Sequence, residues 1–159
     1  MVDNKQRAIL VAAAGSMSGA SVALEKKARV PVKKSRSLGM PWEKEYGYAQ
    51  AVKSGDTIYI SGQISHDKSG KIIGIGDIEM QIRQCYKNIE ELLGGYGATL
   101  QNMVEEVLHV TDMDAAFAAA CRCRHDIFGG TPVLASTMVQ VQRLAFPDLM
   151  IEIRGVARI

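Results

Sequence analysis

The 159-residue sequence predicts one α+β domain with the element order ββαβαββ, preceded by a basic extension. Three observations carry this. Two β-rich segments flank a glycine turn near residue 55, two later segments place apolar residues at helical spacing, and residues 135–159 return to strand-like alternation. The length suits a single core, and 47% hydrophobic with 23% charged residues excludes a disordered or low-complexity chain.

Residues 48–53 and 56–61 read as two strands around a tight turn at Ser54 and Gly55. A loop holding Asp67, Ser69, Gly70, Gly74 and Gly76 leads to a helix from Ile78, where Ile82, Cys85, Tyr86, Ile89, Leu92 and Leu93 share one face. Asp77 suits its N-cap, Gly94 and Gly95 end it, and Glu79 with Arg83 and Lys87 with Glu91 have ion-pair spacing. Residues 104–112 form a third strand. Residues 114–128 form a second helix with Phe117, Ala120, Cys121, Arg124 and Phe128 down one side, stopped by Gly129, Gly130 and Pro132. Strands over 135–144 and 149–158 close the pattern around a turn at Phe146, Pro147 and Asp148. With both helices on one sheet face, the other face is bare, so burying it calls for copies of the same chain.

The net charge of +2 conceals an asymmetry. Residues 1–37 hold eight basic and two acidic residues, a surplus of six, and the remainder is acidic by four. The chain divides into a basic, mobile or extended segment at 1–40 and a domain at 41–159. The segment reads as a solvated tail, or as a clamp for an acidic partner surface, a transit receptor or phosphate. A secretory signal is disfavoured, and no apolar run reaches membrane-spanning length. Three cysteines without chelating or disulfide spacing point to a reducing, cytoplasmic setting.

Glu152 stands between Ile151 and Ile153, so it points away from the core. Partly buried there, it would serve as a general acid or base; the alternative is a structural salt bridge with Arg143 or Arg154. Ser61, Gly62 and Gln63 break an apolar strand, and the glycine lets a ligand approach the backbone. No nucleophile elbow surrounds Ser61. His66, His109 and His125 lack metal-ligand spacing, so no metal or other cofactor is expected. His66 is the better functional candidate, and His109 reads as structural. Cys121 and Cys123 point to different sides of their helix. Gly74 and Gly76 read as a turn rather than a phosphate loop, lacking the Lys-Ser/Thr of a Walker motif.

The motifs IYISGQI (58–64), GDIEMQIRQCYKNIEELL (76–93), VTDM (110–113), VQVQRL (139–144) and MIEIRGVA (150–157) together resemble the Rid family, the reactive intermediate deaminases also called YjgF/YER057c/UK114 or L-PSP, over residues 46–159. The resemblance implies a chorismate-mutase-like fold and a homotrimer whose sheets form a central barrel with sites at the subunit interfaces. It also implies hydrolysis of small-molecule enamines and imines such as 2-aminoacrylate to keto acid and ammonia. It places catalytic roles on Tyr48, Ser61 and the water-handling Glu152, and substrate-binding roles on Gly62, Gln63, Ser136, Met138 and Cys121. Ser136 stands where the family has a carboxylate-gripping arginine, Met138 where it has a cysteine, and Cys121 where an asparagine is common. Losing a bidentate guanidinium from a desolvated pocket costs on the order of 2–4 kcal/mol. The substrate choice is therefore expected to shift from 2-aminoacrylate toward an imine without that carboxylate, cyclic or aromatic, unless Arg154 or a basic N-terminal residue restores the charge. A non-catalytic ligand-binding or regulatory trimer is the alternative. The acidic body disfavours ribonuclease activity and nucleic-acid binding, and no membrane partner is expected.

Overall fold

Strand β1 (Lys33–Arg36) and a six-residue helix α1 (Pro41–Tyr46) precede the hairpin of β2 (Ala51–Ser54) and β3 (Thr57–Ile64) in a computed structural model that describes residues 30–130 and 133–159. Helix α2 (Ile78–Gly94), β4 (Met103–Val110), helix α3 (Met113–Phe128), β5 (Ala135–Gln140) and β6 (Ile151–Arg158) follow. Pro31–Ile159 forms one compact unit. The readings of residues 1–29 and of Pro132 lie outside the described residues.

The strands make one sheet in the order β1-β2-β3-β6-β4-β5, antiparallel except for β4 and β5. That parallel pair needs a crossover, and α3 supplies it. Gly55, in the left-handed region at φ 64°, opens the two-residue turn that pairs Ser54 with Thr57. β6 inserts centrally between β3 and β4, and its alternation is clean: Ile151, Ile153 and Ala157 are buried while Arg154 and Arg158 are exposed. The buried face meets Ile82, Ile89 and Leu93 of α2 in one core. Each such fully buried side chain contributes about 1.5–3 kcal/mol of transfer free energy. The opposite face carries Tyr59, half-buried Val156 and Val107, and Glu152.

The β3–β6 ladder slips between Ile60, paired with Gly155, and Gln63, paired with Ile153. This β-bulge at Ser61 and Gly62 changes which residues face the core. Ile58 and Ile60 point inward before it; Gln63 points inward after it, and Ile64 pairs with Glu152 on the open side.

Five features depart from the sequence reading. β1 lies within the expected extension and all four of its residues are exposed. No hydrophobic alternation marks it, and distant contacts hold it. The Arg36 guanidinium donates to the Gly95 carbonyl and sits 5.3 Å from the Tyr96 ring centroid, while Tyr96 OH donates to the Lys34 carbonyl at 2.9 Å. α1 is new, with Pro41 in its first turn and the Glu43 carboxylate accepting from the backbone N–H groups of Leu38 and Met40. The core stripe of α3 runs through Ala116, Ala119, Ala120 and Cys123, leaving Phe117 and Cys121 exposed. Alanines allow close helix packing, and the larger side chains turn to the flanks. Glu91 pairs with Lys68 rather than Lys87, whereas the expected Glu79–Arg83 pair forms at 2.7 Å. Finally, β5 stops at Gln140 instead of residue 144. The chain then turns into a loop held by buried Gln81, whose amide donates to the Gly74 and Asp148 carbonyls and accepts from Met150 N–H.

Candidate functional site

Glu152 opens into a cavity of about 320 Å³ beside Tyr48, Gly62 and Ile64, with Trp42, Tyr46 and Phe146 as aromatic walls. α1 brings Trp42, whose ring lies 5.4 Å from His66 and 6.0 Å from Phe146, both in edge-on geometry. Gly62 is required sterically: a Cβ there would lie 2.1 Å from Glu152 Oε1. The glycine thus leaves room for the carboxylate to lie against the bulge. Among the described residues the Glu152 carboxylate receives no protein hydrogen bond. Neither expected salt bridge, to Arg143 or to Arg154, forms among the described residues, and Arg154 pairs instead with Glu105 at 3.0 Å. Across the ladder from Glu152 sits His109, whose Nδ1 is buried without a partner among the described residues.

Burial pushes the Tyr48 phenol above its ordinary pKa, reinforced by the negative charges of Glu43 and Glu152. The phenol therefore keeps its proton at neutral pH and can donate it in a hydrogen bond. Behind it runs a buried amide chain. Gln63 donates to Gln50 Oε1 at 2.8 Å, and Gln50 donates to Glu43 at 3.2 Å and to the Tyr48 hydroxyl at 3.4 Å. Ser61 Oγ donates to the Ala49 carbonyl at 2.8 Å and so fastens the bulge to the segment that links Tyr48 to β2. His66 is buried against this cavity, with Nδ1 2.8 Å from the Asp67 carbonyl oxygen.

Ser136, Met138 and Cys121 lie elsewhere. Ser136 and Met138 pair with Glu106 and Leu108 of β4, both buried on the helix side of the sheet, whereas Glu152 occupies the open side. Ser136 and Cys121 line a second cavity of about 330 Å³, walled by Phe128, Val133 and Leu134. Met138 packs against the core. One chain therefore brings Tyr48, Gly62 and Glu152 together and keeps them apart from Ser136, Met138 and Cys121.

At the second cavity Glu106 is fully buried and accepts three bonds, from Tyr86 OH at 2.6 Å, Ser136 Oγ at 2.8 Å and Arg124 Nη1 at 3.1 Å. Arg124 Nη1 also donates to Ser136 Oγ. Burial, with the charge of Glu106, pushes the Tyr86 phenol far above its ordinary value, so it is a permanent donor. Sequence reasoning named neither Glu106 nor Arg124 as functional, nor the Trp42 and Phe146 walls. Arg124 did carry a signal, being a charge within an otherwise apolar helical stripe; Trp42 and Phe146, in loop-like segments, carried none.

The family model described as Endoribonuclease L-PSP matches residues 42–159. A RutC family protein of Pyrococcus horikoshii is 36% identical over 111 residues, covering 69% of this chain and 85% of that protein. The mouse 2-iminobutanoate/2-iminopropanoate deaminase is 36% identical over 67 residues, 42% of this chain and 50% of its own length. A crystal structure from Mycobacterium tuberculosis, a member of the YjgF/YER057c/UK114 family, superposes with a TM-score of 0.70 at 28% identity, covering 80% of this chain and all of that one. The mixed sheet with both long helices on one face, the SGQ bulge against Glu152, and these matches in sequence and structure agree on one conclusion: the chain belongs to the Rid (YjgF/YER057c/UK114) family.

Proposed function

We propose that this protein is a hydrolytic deaminase of reactive imines or enamines, acting as a homotrimer, with its substrate choice altered from 2-aminoacrylate. The observation that carries the reading is the Glu152 carboxylate, held against Gly62 in an aromatic-walled cavity and engaged by no other protein group among the described residues. Such a carboxylate can accept a proton from water as the oxygen adds to the imine carbon. The imine nitrogen takes up a proton, giving a carbinolamine. Collapse of that adduct forms the carbonyl, breaks the C–N bond and releases ammonia. Tyr48, which keeps its phenolic proton, and the Ser61–Gly62 backbone at the bulge polarise the substrate. Gln63 fixes Tyr48 through Gln50.

The open sheet face, with exposed Tyr59, supports a trimer that buries it. The separation of the candidate residues onto two faces supports sites between copies, where the Ser136, Met138 and Cys121 side of one chain meets the Glu152 side of another. The aromatic walls and the serine at 136 support a substrate with a larger planar body. Three free cysteines favour a reducing compartment such as the cytoplasm; among the described residues no helix is long and apolar enough to cross a membrane. Imines generated in place by an amino-acid oxidase from phenylalanine and from alanine, together with 2-aminoacrylate, test the reading. Hydrolysis of the bulky imine, lost in Glu152→Gln, is expected. Preference for 2-aminoacrylate removes the altered choice. Absence of all hydrolysis with ligand binding retained favours a regulatory trimer.

A further inference from the structure

We infer that Arg124 makes the second cavity a carboxylate-binding pocket, so that the substrate is an imino acid with a large apolar side chain. Both bonds from Arg124 to the protein leave from Nη1, to Glu106 and to Ser136. The edge formed by Nε and Nη2 donates to no described residue. That edge presents two parallel N–H groups, the fork that matches a carboxylate bidentately. The side chain keeps 24% of its surface exposed, and it lines the cavity together with Phe128, Leu134 and Cys121.

Glu106 sets the orientation. It is fully buried and held by three donors, so it fixes one nitrogen of the guanidinium and leaves the Nε–Nη2 edge of this cavity-lining side chain free for a ligand. Ser136 matters through its size as well as its hydroxyl: it bridges Glu106 and Arg124 where a long side chain would displace the guanidinium. The charge balance selects the anion. With Glu106 directly behind Arg124 the local field is nearly cancelled, which disfavours a doubly charged phosphate. A singly charged planar carboxylate still gains the paired hydrogen bonds. The apolar walls then receive the rest of the ligand, and a cavity of about 330 Å³ exceeds what the three-carbon 2-aminoacrylate fills.

The assignment rests on the hydrolytic reading only in calling the acid an imino acid, and its test is separate from turnover. Phenylpyruvate and its uncharged counterpart phenylacetone are titrated calorimetrically into the full-length protein. The wild type is expected to bind the acid at least about tenfold more tightly. Arg124→Gln alone leaves Glu106 uncompensated and threatens folding, so the decisive variant is the double substitution Glu106→Gln/Arg124→Gln, with its melting temperature recorded. There the preference is expected to fall to about one. A preference of one in the wild type, or one unchanged in the double variant, overturns the assignment. Loss of preference in a protein that hydrolyses no imine leaves the pocket standing and removes the deaminase reading. Glu152-dependent hydrolysis with an unchanged preference does the reverse.

Discussion

Two glutamates on opposite sides of one sheet show how differently a fold can treat the same side chain. Glu106 is sealed from water and accepts bonds from a phenol, a hydroxyl and a guanidinium. Glu152, one strand away, is half-buried, faces a cavity and has been given space by a glycine. A carboxylate whose lone pairs are fully engaged holds structure, because moving it breaks several bonds at once. A carboxylate left unengaged beside a cavity can receive a proton.

The contrast can be broken most directly at Glu152. Glu152→Gln keeps the shape and removes the base, and kcat for imine hydrolysis is expected to fall by about 10²–10⁴-fold with the melting temperature nearly unchanged. Glu106→Ala is expected to show the opposite pattern, a loss of about 3 kcal/mol in denaturant unfolding, because Arg124 and Tyr86 lose their buried partner. Gly62→Ala sharpens the comparison. The new methyl would collide with the mobile end of Glu152 rather than with backbone. Stability should therefore hold while kcat falls about tenfold to a hundredfold, and combining it with Glu152→Gln should add little further loss.

Acid titration gives the smallest effect. Burial alone would raise the Glu43 pKa, but hydrogen bonds from Ser37, Met40, Gln50 and Leu38 outweigh it and the net shift is downward. A carboxyl lowered in the folded state contributes stability that is present above its ordinary value of 4.5 and is lost as pH falls from there through the lowered value. The wild type should lose stability relative to Glu43→Gln across that acidic window, followed by urea unfolding at a series of pH values. Equal pH profiles would mean that the carboxylate does not secure α1.

What the sequence disclosed tracks the range of the interactions. The hairpin and α2 were legible because their signals are local: a glycine between two β-rich runs, and apolar residues at helical offsets behind the Asp77 cap, whose side chain accepts from Met80 N–H at 3.0 Å. Glu152 was legible as a lone acid between two core isoleucines. β1 was not, since its place depends on Gly95 and Tyr96 some sixty residues away. The end of β5 was missed for the same reason, as buried Gln81 holds the loop that follows. The placement of Ser136 opposite Glu152 depends on which sheet face the helices cover and on the β4–β5 register, and neither is encoded near Ser136.

The bulge at Ser61 and Gly62 works like a shift of reading frame. A strand has only two phases, and one extra residue exchanges them for everything downstream. Drawn out as a regular strand, the same residues would send the Gln63 amide to the open side and Ile64 into the core, dismantling the Gln63–Gln50–Tyr48 relay without touching any of its members. The spacing of SGQ thus carries information separate from its chemistry. In this strand a substitution perturbs one contact, whereas the bulge sets which side of the sheet every residue after it serves.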